Sequence, residues 1–68
     1  MGSEVAPLKG KDRFLRAYSN VPLGVRNEII LVIDGEPITW NVAYIEINKN
    51  TKPAERILKK LIELELIL

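Results

Sequence analysis

A chain of 68 residues holds at most one domain and buries only a modest share of its unfolded surface. It has no Cys and no His, which excludes disulfides, thiolate and imidazole metal sites, and the commonest general base near neutral pH. A net charge of +1 gives no strong general attraction to nucleic acid, and 47% hydrophobic with 28% charged residues reads as globular rather than disordered.

Seven Glu and six Lys with no Cys and no Gln is the balance reported for heat-adapted proteins, and it points to a thermophilic source. No apolar run approaches the roughly 20 residues of a membrane span, and no charged-then-apolar leader precedes a cleavage site. The expected location is therefore cytoplasmic, with no membrane partner. Without disulfides or a metal, self-association is the remaining way for so small a domain to gain stability.

In chain order, residues 1–12 carry two Gly, one Pro and no periodicity, and read as a flexible arm. "RFLRAY", residues 13–18, is too short to settle helix against strand. It is expected as a short helical turn or an edge segment anchored by Phe14 and Leu15. "NVPLG" is turn chemistry, because Pro22 disfavours helix at Val21 and Gly24 permits a positive φ. "EIILVI", Glu28–Ile33, is β-branched and nearly all apolar, which predicts a strand over about 27–33 that is covered on both faces or central in a small sheet. Asp34-Gly35 between two β-rich runs is a strong hairpin signal, and Pro37 sits at a strand's first position.

A second strand is predicted over about 38–48. Its alternation has a flaw, because Ile38, Trp40 and Val42 share one face and Ala43, Ile45 and Ile47 the other. A bulge near Val42 and Ala43 repairs it and turns Tyr44 outward; the alternative is a strand buried on both faces. Thr51 or Asn50 then caps a helix over about 52–65, with Pro53 in its first turn. Apolar residues at 54, 57, 58, 61, 62 and 64 keep helical spacing. Glu55, Lys59 and Glu63 make a charge ladder on its wet side, at about 0.2–0.5 kcal/mol per pair. Each buried Leu or Ile contributes roughly 1.5–3 kcal/mol, so the apolar face carries most of the energy. The expected fold is α+β: a small antiparallel β-hairpin packed against one C-terminal helix, supported either by a third element from residues 13–21, a strand being one option, or by a dimer that completes the sheet or pairs the helices.

Four groups of residues compete for a function. Tyr18, Asn20, Arg26, Asn41 and Tyr44 are candidates for a binding surface at the loop, since loops carry binding residues disproportionately; the competing reading is turn hydrogen bonding and core packing. Trp40, the single Trp, reads as core filling. Lys9, Lys11, Arg13, Arg16 and Arg26 are the candidates for phosphate contact. Five basic against two acidic residues give residues 1–26 a charge of +3, and five against seven give the rest −2. Leu66, Ile67 and Leu68 end the chain apolar and are candidates for self-association.

Catalysis finds little support. Asp34 and Glu36 sit at a wet hairpin tip, where burial does not split carboxylate pKa values, and Glu63 and Glu65 lie on a helix. Ser19 has no His to activate it, and no Gly-rich phosphate cradle is present. No catalytic residue, metal ligand or cofactor site is assigned. The leading expectation is a small non-catalytic protein-interaction module that pairs with itself as a homodimer. The alternatives are a nucleic-acid-binding domain and a small-ligand binder at residues 18–27.

Overall fold

The computed structural model describes residues 9–68. Helix α1 spans Lys11–Ser19, a short 3-10 turn Leu23–Val25, strand β1 Ile29–Ile33 and strand β2 Glu36–Thr39. Helices α2, Trp40–Asn48, and α3, Lys52–Glu63, complete the chain. The class is α+β: a two-stranded antiparallel hairpin with three helices, no third strand being present among the described residues.

The segment at 13–18 is helix, not an edge strand. Phe14, Ala17 and Tyr18 fall on one face, and Phe14 is fully buried. Asp12 in the first turn complements the dipole, and Arg16 lies 3.9 Å from it one turn on. Of the expected arm, residues 1–8 lie outside the described residues, and Lys11 and Asp12 already belong to α1. Gly10 precedes the helix at φ 87 and is packed so closely that an added Cβ would sit 2.7 Å from Ile62 Cδ1. The helix closes where the Asn20 and Val21 N–H groups donate to Ala17 and Tyr18, and Pro22 bars continuation.

The hairpin forms as its turn dipeptide dictates. Asp34 and Gly35 have φ of 52 and 80, the left-handed pair that a primed turn needs, and Ile33 pairs with Glu36 across it. The one irregularity lies in β1, between Ile29 and Leu31, and not at Val42–Ala43. It splits the strand's apolar side chains. Leu31 and Ile38 face the core, while Ile29 and Val32 are left 60% and 58% exposed. The expectation that β1 is covered on both faces therefore fails. One short partner strand and a helical layer on one side leave the other face bare.

The larger correction concerns residues 38–48. The strand ends at Thr39 and the chain turns directly into α2. Two local features outweigh the β-branched composition. Thr39 Oγ1 accepts the Val42 N–H at 3.0 Å, an N-cap bond. Trp40, Ala43, Tyr44 and Ile47 recur at helical spacing, and Ala43 and Ile47 are fully buried. The flawed alternation was the sign of a period of 3.6. Tyr44 is accordingly half-buried rather than outward, and Val42 and Ile45 take the exposed side.

Helix α2 stops with Asn50 at φ 52, whose N–H reaches Ile47 O while the Thr51 N–H reaches Glu46 O. Thr51 occupies the N-cap of α3 but does not cap it; its hydroxyl turns back to the Glu46 carboxylate at 2.5 Å and ties α3 to α2. Helix α3 buries Ala54, Ile57, Leu58 and Leu61 on one stripe. It ends in the same way, with Glu65 at φ 58 in the place Gly usually takes. The Glu65 N–H donates to Ile62 O at 3.0 Å and the Leu66 N–H to Leu61 O at 2.9 Å. This reversal turns Ile67 into the core at 2% exposure and leaves Leu64, Leu66 and Leu68 outside.

Candidate functional site

The loop residues that stood out in the sequence meet in one cluster between α1, the 3-10 turn and α2. Trp40, Phe14, Tyr18 and Tyr44 form an aromatic row. Ring centres are 5.9 Å apart from Phe14 to both Trp40 and Tyr18, and 4.4 Å from Tyr18 to Tyr44 with planes 12° apart. The Arg26 guanidinium lies 4.2 Å from the Tyr18 ring centre, a cation–π geometry. Its Nε and Nη2 donate to the Val21 and Tyr18 carbonyls, each at 3.1 Å.

The polar rim is equally engaged. Tyr18 Oη donates to Asn41 Oδ1 at 2.7 Å, and Asn41 Nδ2 donates to Asn27 Oδ1 at 2.6 Å. The Asn41 N–H donates to the Arg26 carbonyl at 3.0 Å. Asn20 stands apart, its Nδ2 donating to the Arg16 carbonyl. Of the five loop candidates, Tyr18, Arg26, Asn41 and Tyr44 are thus brought together, and Asn20 is not. Asn27, a polar residue of the same loop, joins them through its bond from Asn41. Tyr18, Arg26, Asn27 and Asn41 spend much of their polar capacity on one another and on nearby carbonyls, and the cluster acts as a latch holding α1 and the loop against the N-terminal end of α2.

The basic candidates do not converge. Arg26 is drawn inward, and Lys9 lines a cleft of about 620 Å³ against α3 with Leu58 and Ile62. Arg13 and Arg16 are exposed on α1, three residues apart, with Asp12 beside Arg16. Two further clefts, of about 460 and 270 Å³, lie between the hairpin and α3, and none of the three is lined by residues 18–27. At the hairpin tip Asp34 pairs with Arg56, an exposed contact of roughly 0.2–1 kcal/mol. No cluster of three or more metal-ligating side chains occurs among the described residues. No helix among them is long and apolar enough to cross a membrane.

Leu66, Ile67 and Leu68 divide. Ile67 belongs to the chain's own core, whereas Leu66 and Leu68 are 42% and 83% exposed. The surface that sequence reasoning missed is the bare side of the hairpin, with Ile29 and Val32. The signal available was that a lone two-stranded hairpin with one helical layer has a second face that nothing covers. Comparison with protein-family models, with curated proteins and with solved structures finds no match to this chain.

Proposed function

We propose that this protein is a small interaction module without catalysis of its own, and that its partner is a second copy of itself. The observation that carries the reading is the set of large apolar side chains left in water by a fully satisfied small core. Leu23, Ile29, Val32, Ile45, Leu64, Leu66 and Leu68 are each between 42% and 83% exposed, while among the described residues no buried side-chain polar atom lacks a partner. Polar groups that elsewhere grip ligands are here turned to internal bonding, so apolar surface is what the molecule has left to offer.

Sedimentation of the intact chain over a concentration series tests this. A mass rising toward two copies supports the reading, and a mass of one copy throughout refutes it. The variant to pair with it is Leu66→Ser with Leu68→Ser, which keeps Ile67 in the core; deleting all three residues would confound association with unfolding.

The nucleic-acid alternative has in its favour the exposed pair Arg13 and Arg16 on α1. It requires binding to a mixed-sequence oligonucleotide that weakens steeply as salt rises.

A further inference from the structure

The hairpin has two edges of unequal character. Pro37 on β2 has no N–H, and Pro37 is paired with Val32. In an antiparallel ladder, bonded and non-bonded pairs alternate. Val32–Pro37 is therefore a non-bonded pair, with the backbone groups of both residues aimed away from each other. On the β2 side that outward row is interrupted by Pro37 and stops at Thr39, where α2 begins. On the β1 side Val32 presents both its N–H and its C=O outward. No backbone hydrogen bond joins Val32 or Ile30 to any element other than β2 among the described residues. The sheet extends on one side only, and its extensible edge carries Ile29 and Val32 with no charge between Ile29 and Ile33.

From this edge we infer that two copies pair β1 to β1 in antiparallel fashion about a two-fold axis, making one four-stranded sheet. The inference rests on the self-association proposed above and assigns it a surface. A single open edge opposite a blocked one closes the assembly at two copies, since the same strand serves both partners. Charge favours a second copy as the occupant. Antiparallel pairing brings the start of one β1, with exposed Glu28, to the end of the other. There the 460 Å³ cleft opens beside β1, between Val32 and Asp34 and the polar side of α3. Its walls carry Arg56, paired with Asp34, and Lys60, paired with Glu63, while Lys59 makes no ion pair among the described residues, so the ladder expected through Glu55, Lys59 and Glu63 does not form. Glu28 of each copy arrives beside Lys59 of the other.

The test uses the whole chain. Amide hydrogen exchange at a concentration where the protein associates should show Val32 protected at least tenfold over the same amide in dilute, dissociated sample. Val32→Pro removes the outward donor and Val32→Lys puts a charge on the edge. Each should weaken association at least tenfold while the Leu31 and Ile33 amides stay protected, and Glu28→Lys should weaken it severalfold. Fast exchange at Val32 in the associated state overturns the inference. Association that survives both Val32 variants but disappears with Leu66→Ser and Leu68→Ser also overturns it, and leaves the self-association reading standing. A single-copy mass at every concentration removes both.

Discussion

Phe14 is the side chain on which the packing of α1 most depends. It is fully buried and lies 5.9 Å from both Tyr18 and Trp40. Truncation of a buried Phe to Ala typically costs 3–5 kcal/mol through lost transfer energy and the cavity left behind, about as much as the core of so small a domain supplies in total. Phe14→Ala should therefore leave the chain largely unfolded at 25 °C. Phe14→Leu keeps most of the volume and loses two aromatic contacts, together about 1–3 kcal/mol, so it should fold with a lowered midpoint. Urea titration at one fixed protein concentration, followed by the fluorescence of the single Trp40, measures both, because Trp40 touches the altered site. A Phe14→Ala protein within about 1 kcal/mol of the unaltered chain would refute the placement of α1 on this core.

Other predictions test the helix ends and the latch. Thr39→Ala removes the bond to the Val42 N–H and should cost about 0.5–2 kcal/mol; at roughly 4–8 °C per kcal/mol in a domain of this size, thermal melting followed by circular dichroism resolves it. Tyr18→Phe leaves Asn41 Oδ1 without its donor and should cost about 0.5–1.5 kcal/mol in the same melts. Glu65→Gly relieves the left-handed residue at the end of α3 and should stabilise by about 0.5–1 kcal/mol, whereas a loss would contradict the helix-terminating geometry assigned there. Gly10→Ala and Gly35→Ala both place a side chain at positive φ, at about 1–2 kcal/mol each. The Gly10 variant should fall further in urea titration, because only there does the new Cβ meet a neighbour, Ile62.

The hairpin and the last helix were legible because each is specified locally. Asp34-Gly35 fixes a turn type, and residues 54, 57, 58 and 61 repeat at a helical period over several turns. Helix α2 was obscured because its residues are β-formers whose preference is settled by context, here the Thr39 cap and the burial of Ala43 and Ile47. In so short a segment, apolar residues at 38, 40, 42, 45 and 47 fit a bulged strand, while 40, 43, 44 and 47 fit a helix. Exposed Val42 and Ile45 were what made the wrong pattern look complete. Of the loop residues singled out, Tyr18, Arg26, Asn41 and Tyr44 meet in one cluster and Asn20 does not. Their bonding to one another was invisible, because Asn41 and Tyr44 reach Tyr18 and Arg26 only once the 40–48 segment is helical. The bare hairpin face was likewise hidden by β1 itself, whose apolar run reads as a buried strand. It is the irregularity between Ile29 and Leu31 that directs Ile29 and Val32 outward.

The most direct measurement is an isotope-filtered NMR experiment on an equimolar mixture of labelled and unlabelled chains, which records only contacts between different copies. Pairing through the open edge of the hairpin predicts cross-copy contacts among Ile29, Ile30 and Val32. An absence of any cross-copy signal at millimolar concentration, or signals confined to Leu64, Leu66 and Leu68, would contradict that pairing.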